Sequence, residues 1–115
     1  MGTHAVIAVQ YNETINAVYC HFDGYLEHVG NLLQEHYNTE EKIDQLIVRG
    51  DMSSLGETIK DCKFYEDSEF KVFVDSPYMS ARERLKNYAS AHFISYVYLF
   101  VEGNWIMSRT NNFRA

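Results

Sequence analysis

The sequence predicts a single α+β domain over residues 1–115: an N-terminal β-hairpin, two to three helices packed on an antiparallel sheet, and a C-terminal β-hairpin that completes the sheet. Three features carry this expectation. A β-branched apolar run near the start is followed, after a short polar turn, by an alternating segment. The middle of the chain repeats apolar residues at helical spacing. Near the end, an aromatic alternating stretch runs through Glu102-Gly103-Asn104 into a second extended segment, the clearest hairpin in the chain.

Taken in order, Ala5-Val6-Ile7-Ala8-Val9 reads as a buried strand and Tyr11 to Thr14 as a turn. Ile15 to His21 reads as the partner strand, with Ala17, Tyr19 and His21 on one face and Val18, Cys20 and Phe22 on the other. Asp23-Gly24 ends it, and the Asp23 carboxylate is placed to cap the next helix. Tyr25, Val29, Leu32, Leu33 and His36 then form an amphipathic stripe. Gly30 lies inside that stripe at a cost of about 1 kcal/mol against Ala, which implies a close packing contact. Asn38 stands at capping-box spacing from Glu41, opening a helix with Ile43, Leu46 and Ile47 inward and Gly50 beyond its end. Asp51 to Gly56 reads as a compact turn or a single helical turn. Cys62 to Tyr65 and Phe70 to Val74 read as strands around the acidic loop Glu66 to Glu69. Ser80 caps a helix from Ala81 to about Ala91, with Leu85, Tyr88 and Ala89 inward, and Thr110 to Ala115 reads as a loose tail.

Composition narrows the function classes. Hydrophobic residues make up 46% of the chain, enough for a core without a disulfide or metal staple. Sixteen acidic against ten basic residues give a net charge of −6, which argues against nonspecific nucleic-acid binding and against an anionic membrane surface. No stretch approaches the ~18 apolar residues of a membrane span, and no basic start with an apolar h-region precedes the first strand. Cys20 and Cys62 lie outside any CxxC spacing, so free thiols in a reducing cytoplasm are expected.

The densest chemistry lies at Tyr19-Cys20-His21-Phe22-Asp23-Gly24-Tyr25, with His28 following. A carboxylate beside an imidazole orients the ring and raises its basicity, so His21 and Asp23, with Tyr25 and His28, are candidate ligand- or partner-binding residues. No zinc spacing occurs among them, and no metal or cofactor is expected. Cys20, flanked by Tyr19 and Phe22 in a strand, reads as a core residue rather than a nucleophile. Arg82 and Lys86, one turn apart at a helix start, form a second candidate, for an anion. Tyr96, Tyr98, Phe100 and Trp105 supply more aromatic surface than three short helices are expected to cover, and are candidate interface residues of a homo-oligomer.

The segment YCHFDGY, followed by Val29-Gly30, Leu33 and His36-Tyr37, resembles a family of small phage and prophage proteins whose pattern reads YCH-aromatic-DGYP with a helix ending in HY. Leu46 to Glu57 (LIVRGDMSSLGE) and the YVYLF hairpin with Trp105 are similar to that family as well. The chain departs from it at Phe22, where Trp is expected, and at Leu26, where Pro is expected. The resemblance brings no activity with it. It implies a phage accessory protein in the cytoplasm of an infected bacterium, acting by stoichiometric binding to a host defence protein, as anti-CRISPR proteins do, or sequestering a nucleotide signal. The alternatives are a small metal-dependent or acid/base enzyme using His21, Asp23 and His28, and a virion or morphogenesis component.

Overall fold

The computed structural model describes residues 2–115. Among them the chain runs β1 (Ala5–Tyr11), β2 (Thr14–Cys20), α1 (Asn31–His36), α2 (Glu40–Ile47), β3 (Met52–Ser54), β4 (Lys63–Phe64), β5 (Lys71–Val74), α3 (Ala81–Ala91), β6 (Tyr96–Val101) and β7 (Asn104–Arg109). The strands form one seven-stranded sheet in the order β4-β3-β2-β1-β6-β7, with β5 also paired to β2. The expected α+β class holds, with both terminal hairpins in place.

The two hairpins close by turn chemistry. Asn12 takes a left-handed φ of 54° between β1 and β2, and Glu102 and Gly103 are both left-handed between β6 and β7, the twist that suits two-residue hairpin loops. Where the hairpins meet, β1 and β6 run parallel, with Ala5 opposite Tyr96 and Val9 opposite Phe100. The sheet is therefore mixed rather than purely antiparallel. A tight turn dictates the pairing inside its own hairpin, whereas the join between hairpins is set by the long path through α3.

Strand alternation divides the core in two. Ile7, Val9, Val18, Cys20, Tyr98 and Phe100 face a layer made by α1, the helical turn before it and α2, through Val29, Leu33, Ile43 and Leu46. Val6, Ala8, Ala17, Val97 and Leu99 face α3, through Ala81, Leu85 and Ala89. Both covers of β6 thus come from this chain, which corrects the basis for the interface candidates: Tyr96, Tyr98 and Phe100 are buried within the fold. Trp105 is half-buried, packs edge-on to Phe100 at 5.2 Å and donates from Nε1 to the Tyr37 carbonyl at 3.0 Å. The aromatic surface is spent on the chain's own α1–α2 layer.

Helix ends match local chemistry with one substitution of cap. Ser80 Oγ accepts from Glu83 N at 3.1 Å at the start of α3. At α2 the cap is Thr39, not Asn38, and its Oγ1 accepts from Lys42 N at 3.2 Å. Gly50, expected beyond α2, has a φ of 86°, a conformation favouring glycine.

Two further expectations change. Asp51 to Gly56 holds a strand, β3, because Met52 pairs with the end of β2 at Cys20. The C-terminal segment is anchored: Thr110 N and Oγ1 donate to the carbonyls of Ser95 (2.9 Å) and Ile94 (2.6 Å), and Phe113 is buried in the α3 layer.

Candidate functional site

The start of β1, the end of β2, the start of β6 and the end of α3 lie at one end of the sheet, and the YCHFDGY segment crosses it. The first residues beyond β2 continue its pairing with β3: His21 N donates to the Met52 carbonyl at 3.0 Å and Phe22 N to that of Ser53 at 2.8 Å. Gly24 N then donates to the Thr3 carbonyl at 2.8 Å, while the buried Tyr98 hydroxyl donates to the Gly24 carbonyl at 2.6 Å. A Cβ at Gly24 would stand 2.8–2.9 Å from Ala5 and the His4 backbone, so this approach requires glycine. The loop is fixed from both sides.

Asp23 has a left-handed φ of 56°, which suits a tight reversal but not a helix cap, whose backbone is extended. The helical segment starts at Tyr25 without a side-chain cap and makes one π-helical turn, Leu26–Gly30, before α1. Asp23 therefore does not cap, contrary to expectation. Gly30 does make the close contact expected of it: a Cβ there would stand 3.3 Å from Leu26 and 3.6 Å from the Met107 sulfur.

The partners of His21 are Tyr19 and His4. The Tyr19 hydroxyl bonds to His21 Nδ1 at 2.7 Å, and burial raises the pKa of that hydroxyl, which keeps its proton. The His4 ring stacks on His21 with centroids 4.6 Å apart and planes 20° apart, and its Nδ1 bonds to the His21 carbonyl at 2.6 Å. Phe22 stands edge-on to His21 at 4.5 Å. The imidazole is oriented by a phenol and a second imidazole rather than by the Asp23 carboxylate. His28 lies in the π-helical turn, its ring 6.2 Å from that of Tyr25. Among the described residues no three His, Cys, Asp or Glu side chains converge as metal ligands.

Around this cluster apolar side chains point outward. Phe22 is 48% exposed and Tyr25 37%, with Leu26 beside them. Phe93 follows α3 at the same end, where Ser95 N donates to the His4 carbonyl at 2.9 Å. Its backbone is left-handed, φ 57°, and it is 86% exposed, an unfavourable conformation for a bulky residue. Cys20 sits behind the loop, where burial pushes its thiol up to about 12; it is a packing residue.

Arg82 and Lys86 lie elsewhere. Arg82 Nε donates to Gln10 Oε1 at 2.9 Å, near the far end of β1. Two of the first-turn α3 amides that an anion would use are taken: Asp75 Oδ1 accepts from Ala81 N at 2.6 Å and Ser80 Oγ from Glu83 N. The structure thus assembles His21 and Phe22 with His4 and Tyr19, and leaves Arg82 and Lys86 apart. His4 and Phe93 escaped sequence reading for different reasons. His4 reaches His21 one step beyond the Ala5–Cys20 pair of the β1–β2 hairpin, whereas Phe93 is brought to this end by the Ser95–His4 bond beside the β1–β6 pairing. The one local signal was alternation, which puts Tyr19 and His21 on one face. No family model, curated protein or solved structure matches the chain.

Proposed function

We propose that this chain is a binding protein that acts by stoichiometric occupancy of a partner, using the end of the sheet that carries Phe22, Tyr25, Leu26 and Phe93. The observation that carries this reading is the exposure of Phe22, Tyr25, Leu26 and Phe93 on a backbone fixed by hydrogen bonds. Phe93 is held at the end of α3, where Phe93 N donates to the Ser90 carbonyl and Ile94 N to that of Ala89. Contiguous exposed hydrophobes of this kind mark interaction sites. A loop already fixed by Thr3, Met52, Ser53 and Tyr98 loses little freedom on binding, which favours affinity. Aromatic residues on such a rigid base are the side chains that dominate protein interfaces.

The finer reading rests on the sequence resemblance: a phage accessory protein that counters a bacterial defence protein. The flat, exposed Phe22 ring beside the stacked imidazoles also suits a nucleobase, which keeps sequestration of a nucleotide signal as the second reading. Binding of either kind works for a monomer or an oligomer, and light scattering against the 13.4 kDa chain mass measures which it is.

The test is plating of sensitive phages on bacteria that carry defined defence systems and express the chain. Restored plaque formation by the wild type, lost in Phe22→Asp and in Phe93→Asp with unchanged circular dichroism, supports the reading. Capture of the purified protein with identification of co-eluting proteins and metabolites separates the two targets. Rescue that survives both substitutions moves the site away from this end, and absence of rescue across the panel removes the anti-defence reading.

A further inference from the structure

β5 borders β2 on one side only, and the geometry of that pairing exposes its other side. Val74 lies opposite Thr14, Phe73 opposite Ile15, Val72 opposite Asn16 and Lys71 opposite Ala17. Asp75 N donates to the Glu13 carbonyl at 2.9 Å. In an antiparallel ladder alternate residues bond to the same neighbour, so Phe73 and Lys71 bond to β2 as Asp75 does. The amides and carbonyls of Val72 and Val74 therefore point away from the sheet, and among the described residues no strand pairs with them. Their side chains are 53% and 48% exposed. An extended, apolar, unprotected edge is a template for one more strand.

Beside this edge the α1–α2 layer stops. α2 ends at Ile47, and Val48 beyond it is 65% exposed. Two adjoining hollows that share Val48 and Phe70 run between the end of α2 and β5, bounded also by Tyr11 and Val72. The charged residues lining them are Asp44 and Glu69, both acidic, and Asp44 is further engaged by the Tyr11 hydroxyl. Glu66 and Asp67 precede the strand, while Lys71 on the opposite face is bound to Asp51 at 2.8 Å. The edge is apolar at its centre and negative at its rim.

We propose that the outer edge of β5 docks an extended segment of a partner protein in which a short apolar run is flanked by basic residues. The segment adds a strand to the sheet: its backbone bonds to Val72 and Val74, its groove-facing apolar side chains pack beside Val48 and Phe70, and the cations that flank them meet Glu69 and Asp44 at the rim. Main-chain pairing supplies affinity in this mode and alternate side chains supply specificity. Charge disfavours a second copy as the occupant, since it would bring another −6 and the same acidic rim. This surface is separate from the sheet end that carries Phe22, and the inference does not rest on the function assigned to that end.

The probe is a blocked peptide of about seven residues with a valine core flanked by lysines, and the same core flanked by glutamates is the control. The lysine peptide is expected to shift the amide resonances of residues 70–74 saturably and to bind more weakly as salt rises. The control is expected not to bind. Val72→Lys and Glu69→Lys, both at exposed or rim positions, are each expected to lower affinity by about tenfold or more while the spectrum stays dispersed. Equal binding of both peptides, or saturable binding whose shifts lie away from β5, overturns the proposal. So does concentration-dependent dimerisation in sedimentation that shifts the same amides, because the edge then belongs to a second copy.

Discussion

The end of the sheet at Phe22 and the edge of the sheet at Val72 both expose apolar side chains, for opposite physical reasons. At the sheet end the backbone is tied down: His21, Phe22 and Gly24 bond to Met52, Ser53, Thr3 and Tyr98. What remains outside are side chains held at fixed positions. At the edge the side chains of Val72 and Val74 are ordinary strand residues, and it is the backbone that lacks partners. The comparison teaches that an exposed hydrophobe has two meanings. One is presented by a finished scaffold, and the other is left over where the scaffold stops.

The polar feature that holds β5 to the sheet sharpens the contrast. β2 pairs with β3 at Cys20 and with β5 from Thr14 to Ala17, leaving Tyr19 between them. Asp51 fills that gap with its side chain: Oδ1 accepts from Tyr19 N at 2.8 Å, and Lys71 Nζ donates to both carboxylate oxygens at 2.8 and 2.9 Å. Asp51 N in turn donates to Ser68 Oγ at 2.7 Å. A single carboxylate thus takes the place of a strand residue and anchors β5.

The largest expected effect is at the sheet end. Gly24→Ala places a methyl against the backbone of His4 and Ala5 and should cost about 3 kcal/mol in urea unfolding. A loss below about 0.5 kcal/mol, the range of an uninvolved surface site, would mean that the loop is not pinned there.

Next comes Asp51→Ala, expected to cost about 2 kcal/mol by leaving Tyr19 N and Lys71 without their partner. Hydrogen exchange should then quicken in β5 while the amides of the 21–24 loop keep their protection. Equal loosening of both regions would break the claim that they are held independently. Asp51→Asn, which retains an acceptor, should cost less.

Tyr98→Phe removes one buried hydroxyl donor to Gly24 and should cost about 1 kcal/mol. The smallest change is Val72→Thr, within about 0.5 kcal/mol, because the side chain is half in water already. Last, the Cys20 thiol, raised to about 12 by burial, should resist a thiol reagent at pH 8 until the chain unfolds and the thiol returns to roughly 8.5. Because the folded state favours the neutral thiol, Cys20 lowers stability only above the unfolded value, as pH rises. Rapid native labelling would show that the sheet end opens.

The sequence by itself determined the elements whose signals are local. α3 spans Ala81–Ala91 as its Ser80 cap and its periodicity require, and both hairpins turn at residues suited to left-handed backbone. The continuous apolar run of β6, Tyr96 to Val101, leaves open what covers each of its faces. A period of two reports that a face is apolar and carries no information about whether helices of the same chain or a second subunit cover it. Tertiary structure decided that α1 with α2 and α3 take opposite faces, that the two hairpins join in parallel, and that His4 stacks on His21. It also turned Asp23 from the expected cap into a left-handed turn residue, because Gly24 must bond to Thr3 before the helix can begin. These outcomes depend on pairings between residues far apart in the chain, such as Ala5 with Tyr96 and Lys71 with Asp51. Each is one of several ways to bury similar surface, and only packing the whole chain selects among them.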